Sequence, residues 1–367
     1  MSPALPADPP ADPFDEPAGL RFAVGVRMQR AGRILPVFLP FAACPGRCVF
    51  CAQDRQTGLG RRPRHNVGQA LSRAAAALEE LAACPPPGGV ELAFYGGTFT
   101  GLPTAMLEAA LELLARGHGL GVVSHGRCST RPDTLGAGPG GSILDRLKNG
   151  GLDLVELGVQ SFDDHALHKA RRGYRGQDAE DGCRAVTAAG LALGIQLLPG
   201  MPGVTPAIFL ADVDRALALR PACLRFYPCV VPDGTELASL WKSGRYKPWS
   251  LPETVRALGE GLRRAWAAGV PVIRLAVAPE AAFDATLLAG PRHPALGALI
   301  QAEALLQSTR TQLTRLGRAP RGISLPRRHQ GCMYGQRGAL REAWAALGLP
   351  PDRVRFHTQP EDEGFLW

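Results

Sequence analysis

Six apolar runs punctuate the chain, each ending in a polar or glycine-rich step: ILPVFLPFAAC from residue 34, VELAFYGGTFTG (90–101), VVSHGRCSTRPD (122–133), DLVELGVQSFDD (153–164), LGIQLLPGMPG (193–203) and ACLRFYPCVV (222–231). Between and after them, helical periodicity spans roughly 68–83, 103–117, 142–149, 177–190 and 206–219. Near-continuous apolar runs suit strands buried on both faces, and their alternation with helices predicts parallel strands joined by crossovers. Six units rather than eight predict an α/β fold of the partial (βα)6 TIM-type barrel. Pro36 and Pro40 limit how far the first run can pair in a ladder.

The pattern divides the chain. Residues 1–20, rich in proline and acidic side chains, read as a disordered tail without the apolar core of a secretory signal. Residues 21–231 form the expected core, and 232–367 an appended α/β extension. That extension predicts a helix at about 252–268, a strand in VPVIRLAVAP (270–279), the motif LLAGPRHPALG (287–297) leading into a helix, a helix near 337–347 and a strand at 353–357. In barrels of this kind chemistry gathers at the carboxyl ends of the strands. The steps found there are the cysteine loop, Gly96-Gly97-Thr98, Ser129 to Asp133, Gln160-Ser161, Pro199-Gly200 and Arg225-Phe226-Tyr227.

Composition narrows the class without naming it. With 46% hydrophobic and 20% charged residues, and no apolar run long enough to span a membrane, the sequence reads as a soluble globular protein. Its 44 glycines and 33 prolines fall mostly between periodic segments. A net charge of +8 suits a polyanionic partner, and equally suits simple solubility.

The cysteines change the picture most. FAACPGRCVFCAQ sets Cys44, Cys48 and Cys51 at C-x3-C-x2-C on one short loop, a spacing that can ligate three irons of a [4Fe–4S] cluster and leave the fourth open. Zinc is the competing reading, but structural zinc usually takes paired knuckles and no second knuckle follows. A disulfide framework does not suit an odd count of nine cysteines. Cys84, Cys128, Cys183, Cys223, Cys229 and Cys332 are scattered and read as small apolar fillers.

The cysteine motif closely resembles that of the radical S-adenosylmethionine (SAM) enzymes. The resemblance implies a [4Fe–4S] cluster whose open iron binds SAM, and reductive cleavage of SAM to methionine and a 5′-deoxyadenosyl radical. It also implies cofactor-binding roles: Gly96, Gly97 and Thr98 toward the SAM amino group, and Gln160 toward its ribose or methionyl part. Arg172 is the candidate for its carboxylate, with a solvated basic helix end as the competing reading. Ser129 lines the same rim with Arg131, which serves equally as a turn anchor. No residue is assigned as catalytic.

The combination of VELAFYGGTFTGLP, CSTRPD, VELGVQSFDD, LLPGMPG and RFYPCVVPDGTELASLWKSGRYKP, over roughly 34–300, resembles the Elongator catalytic-subunit family, in a short bacterial form. That resemblance implies modification of a transfer RNA base, with an electron donor such as a flavodoxin or ferredoxin and a reducing, cytoplasmic setting. The chain departs from the family in three ways. It leaves no room before Trp367 for an acetyltransferase domain, and Ala52 and Tyr174 stand where relatives often have asparagine and histidine. Acetyl-coenzyme A use is therefore not part of the expectation.

Arg61, Arg62 and Arg64, and then Lys242, Arg245 and Lys247 interleaved with Trp241, Tyr246 and Trp249, have the character of a nucleic-acid surface. The competing reading packs the aromatics and leaves the charges in water. Two further functions stay open: radical chemistry on a tetrapyrrole or other small molecule, suggested by GVQSF, and an iron–sulfur or haem carrier or sensor using His293 or His329.

Overall fold

The computed structural model describes residues 19–26, 28, 33–56, 66–138, 141–277, 281–358 and 362–367. The expected tail lies almost wholly outside these residues, as do Arg61, Arg62 and Arg64. Strands follow in the order β1 (Leu20–Ala23), β2 (Arg33–Phe38), β3 (Val90–Tyr95), β4 (Val123–Thr130), β5 (Ala137–Gly138), β6 (Gly141–Ser142), β7 (Leu154–Gln160), β8 (Ala192–Leu197), β9 (Cys223–Phe226), β10 (Val231–Pro232), β11 (Val272–Arg274), β12 (Leu287–Ala289), β13 (Ile323–Pro326), β14 (Val354–His357) and β15 (Glu363–Leu366).

The main sheet has seven strands in the order β11-β9-β8-β7-β4-β3-β2, with every neighbour parallel. Helices Asn66–Ala83, Thr104–Gly119, Ile143–Asn149, Gly176–Ala188 and Pro206–Ala218 supply the crossovers, within two residues of the expected spans. The apolar runs dictate this arrangement: β3 and β7 are buried along almost their whole length, leaving no face for water. The six expected strands are all present, and the curled sheet is the expected partial barrel. The seventh, β11, comes from the extension: it is three residues long and follows the helix Leu251–Ala267, which is started by a capping box between Ser250 and Glu253.

The boundary expected at residue 231 does not divide the sheets. Besides β11, the N-terminal strand β1 crosses it, joining a second sheet of order β1-β15-β13-β14 built otherwise from the extension. Helix Leu296–Leu316 packs along Leu251–Ala267 and ties this sheet to the barrel. Of the scattered cysteines, Cys128, Cys183, Cys223, Cys229 and Cys332 are buried as expected of fillers. Cys84 is exposed and fills nothing.

The inward-facing layer of the barrel is charged rather than aliphatic. Arg127 pairs with Glu91 and Glu156, and Arg225 pairs with Glu156. Gln196 Nε2 donates to Glu156 Oε2 and Ser129 Oγ, both at 3.2 Å. Gly194 leaves room for this network, because a Cβ there would stand 2.9 Å from Glu156 Cγ.

Candidate functional site

The cysteine loop leaves β2 at the carboxyl end of the sheet and is shaped by its own backbone. Phe41 and Ala43 both take positive φ (54°), turning the chain so that Cys44 N–H meets the Phe41 carbonyl at 3.2 Å. Gln53 then clamps the loop: its Oε1 accepts from Phe41 N at 2.7 Å and from Gly97 N at 2.9 Å. Gly97 is required by this contact, since a Cβ would lie 2.4 Å from the Ala42 carbonyl oxygen. The paired glycines thus do allow a close approach, and what approaches is the cysteine loop itself. From the extension, Leu237 N–H holds the Val49 carbonyl at 2.8 Å.

All three cysteines are half-buried in the wall of one cavity of about 410 Å³. The same cavity is lined by Gly96, Gly97, Ser129, Arg131, Gln160 and Arg172, and by Tyr95, Gln196, Arg225, Tyr227 and Arg274. The fold therefore brings the sequence-predicted residues to one place from four strand ends and, for Arg172, from the loop after helix Asp164–Lys169. Thr98 is the exception: it is fully buried behind the lining, with its hydroxyl 3.5 Å from Cys44 Sγ. Burial pushes the Cys51 thiol up to about 12, with Cys48 and Cys44 adding to the effect, and burial also raises Cys44. Metal binding would have to displace the protons that burial favours on Cys44 and Cys51.

Arg172 is the most informative side chain. It is 6% exposed, yet among the described residues no carboxylate is paired with it. Instead Nη1 donates to Cys48 Sγ at 3.0 Å, Nη2 to the Gly158 carbonyl at 2.6 Å and Nε to Tyr174 Oη at 2.9 Å. A buried cation turned toward a cysteine sulfur calls for negative charge there. This excludes the solvated helix end. Arg131, by contrast, is spent locally on Asp133 (Nη2 to Oδ2, 2.7 Å) and on the Arg172 carbonyl.

Among the described residues no three His, Cys, Asp or Glu side chains are gathered as they would be around a single metal ion. A cluster asks for something else, one thiolate on each of three irons. Three soft donors on one wall, with N–H and O–H groups aimed at two of their sulfurs, fit that demand.

The basic aromatic segment behaves differently from the expectation of a base-stacking surface. Tyr246 and Trp249 are buried, with Tyr246 Oη bonded to the Gly200 carbonyl (2.7 Å) and Trp249 Nε1 to the Val204 carbonyl (3.2 Å). They fasten the extension to the loop after β8, Trp241 is half-buried against the core, and Lys242, Arg245 and Lys247 face outward. Sequence reasoning missed Gln53 and Tyr174 as site builders. The position of Gln53 two residues after the last cysteine was the one available signal.

A parallel half-barrel with a three-thiol loop at its strand ends defines an iron–sulfur half-barrel enzyme. The chain belongs to the radical SAM superfamily: the superfamily model matches residues 38–216, and the radical SAM C-terminal domain model matches 221–306. Its cofactors are those of the superfamily, a [4Fe–4S] cluster and SAM. Among curated proteins it is similar to tRNA uridine(34) acetyltransferase of Methanocaldococcus infernus, 25% identical over 260 residues, covering 61% of this chain and 48% of the relative. It is also similar to the heme chaperone HemW of Escherichia coli, 24% identical over 230 residues, covering 57% of this chain and 58% of the relative. The chain spans about half the length of the acetyltransferases it matches. A solved structure of archaeal M. infernus Elp3, lacking its N-terminal residues, shares the fold with a TM-score of 0.56 at 20% identity, covering 78% of this chain and 64% of the other. No described helix is long and apolar enough to cross a membrane.

Proposed function

We propose that this enzyme cleaves SAM reductively and uses the resulting radical to modify a base of transfer RNA. The observation that carries the first half is the buried Arg172 cation directed at Cys48 Sγ within the three-cysteine cavity. Cys44, Cys48 and Cys51 would hold the cluster, which when bound would supply the electron for SAM cleavage. Gly96, Gly97, Ser129, Gln160 and Arg172 surround the space beside the thiols and would orient SAM, with Thr98 supporting Cys44 from behind. Phe38, Phe41, Phe50 and Val230 give that space an apolar wall which limits water around a reactive carbon radical.

The transfer RNA half rests on similarity to the uridine(34) acetyltransferases and on the charge of the cavity rim. Arg47 and Arg274 are both exposed where the cavity opens, and the chain carries a net charge of +8. A one-electron donor of the flavodoxin or ferredoxin type would reduce the cluster, and an oxygen-sensitive cluster places the enzyme in a reducing cytoplasm. The carrier reading finds less support. His293 is occupied, its Nδ1 accepting from Ala295 N (3.0 Å) and its Nε2 meeting Gln336 Oε1 (2.9 Å), while His329 is buried.

The test is anaerobic reconstitution with iron and sulfide, followed by SAM and a strong reductant, with 5′-deoxyadenosine quantified for the wild type and Cys48→Ala. Product from the wild type alone supports SAM cleavage. A fully loaded wild type that makes none overturns it. Bulk transfer RNA that neither binds with salt-dependent affinity nor gains a modified nucleoside overturns the substrate half.

A further inference from the structure

The strand tip that carries Gln160 is strained. Gln160 sits at φ 69°, a region that residues with a side chain seldom occupy, and the Ser161 N–H reaches back to the Val159 carbonyl at 2.9 Å, closing a three-residue γ-turn. The β7–β8 register shifts at the same place. Such a backbone persists only when its surroundings hold it. Asp212 and Leu198 N–H hold its far side, and on the cysteine side the holding group is Tyr174, whose phenol hydroxyl lies 2.9 Å from both the Gly158 and the Val159 carbonyl oxygens. The same oxygen accepts from Arg172 Nε at 2.9 Å, and the guanidinium carbons of Arg131 and Arg172 lie 5.2 and 5.0 Å from the centroid of the tyrosine ring.

We infer that Tyr174 is a positioning residue which couples the two sides of the SAM site, fixing Gln160 through the γ-turn and aiming Arg172 at Cys48 Sγ through one phenol oxygen. The inference rests on the radical SAM reading of the cavity. Its chemistry is specific to a hydroxyl. A phenylalanine keeps the ring beside the two arginines but removes both the acceptor for Arg172 Nε and the donor to the carbonyls. The strained turn then loses its support on the cysteine side, and the arginine loses one of the three bonds that fix the orientation of its guanidinium plane.

The consequence reaches the cluster by a short path. A hydrogen bond to a cluster thiolate favours the reduced, more negative state, so a loosened Arg172 lowers the cluster's reduction potential. A purely packing role for Tyr174 would lower thermal stability without moving that potential.

The experiment compares wild type, Tyr174→Phe and the control Tyr246→Phe, a second buried tyrosine whose hydroxyl also holds a backbone carbonyl. All three are reconstituted anaerobically. Two quantities are read: the cluster's midpoint potential by electron paramagnetic resonance titration, and SAM affinity from the change that SAM causes in the reduced-cluster spectrum. Tyr174→Phe is expected to bind SAM about tenfold more weakly and to show a lower midpoint potential. Tyr246→Phe should lose comparable stability and keep both properties. A Tyr174→Phe protein that retains wild-type affinity and potential overturns the inference and leaves the SAM reading standing. Wild type that holds a cluster and shows no SAM-induced change overturns the underlying reading instead.

Discussion

Buried arginines inside the barrel and the buried Arg172 at its rim, in the loop after helix Asp164–Lys169, are treated oppositely. Inside the barrel, Arg127 and Arg225 meet Glu91 and Glu156, so their charge is neutralised where it lies. At the strand ends, Arg172 is equally buried but is given a sulfur, a carbonyl and a phenol. The interior network balances its own charge even where Gln196 and Arg225 reach the cavity wall. The rim is left with unbalanced positive charge beside three thiols, which is what a site waiting for an anionic group looks like. Burial alone therefore does not separate support from function, whereas the balance of charge does.

The sharpest way to break this contrast is Glu156→Gln. It leaves Arg225 without a carboxylate and Arg127 with Glu91 alone, and should cost about 3–5 kcal/mol, read by chemical denaturation. A loss below about 1 kcal/mol would mean the interior charges are solvated and the contrast is false.

Asp212 probes the same boundary through pH. It is 2% exposed and holds the step after Gln160, accepting from Ser161 Oγ at 2.6 Å and Phe162 N at 2.8 Å. Burial, only partly offset by those bonds, pushes its carboxyl up to about 6 from an ordinary 3.8. A carboxyl whose folded pKa exceeds its unfolded value takes up a proton on folding. It therefore adds stability as pH falls from about 6 toward 4 and withdraws it as pH rises through 6. The melting temperature of wild type relative to Asp212→Asn should thus fall between pH 4.5 and 7, by an amount worth up to about 3 kcal/mol. A flat difference would show that the carboxyl is not desolvated.

Smaller effects sharpen the rim. Gln53→Ala leaves the Phe41 and Gly97 N–H groups without their acceptor, and should cost about 1–2 kcal/mol and slow cluster retention, read by iron release to a chelator. Arg172→Lys keeps the charge but cannot reproduce three divergent bonds. It should weaken SAM binding about tenfold while changing stability less than Glu156→Gln does. Equal destabilisation by the two would erase the distinction between them.

Much of this was legible in the chain itself. The barrel strands announce themselves because burial on both faces demands apolar runs, and the cysteine spacing survives as a motif because all three thiols sit on one local loop. What escaped depends on distant partners. Val272–Arg274 is too short to declare itself a barrel strand until β9 is beside it. Leu20–Ala23 looks like the start of the core until Glu363–Leu366 pairs with it. Trp249 and Tyr246 carry the same letters whether they stack on a base or on their own protein, and only packing decides. Tyr174 read as a departure from relatives, and its role needs the γ-turn, which no local pattern of residue types reveals.

The pairing of β1 with β15 also sets a timetable. During synthesis every strand of the barrel has left the ribosome well before Glu363 is made, so the half-barrel and its cysteine loop can form while Leu20–Ala23 still lacks a neighbour. The second sheet closes only when the last described residues arrive, joining the two ends of the described chain. The pairing of Leu20–Ala23 thus waits on a strand made after every strand of the half-barrel.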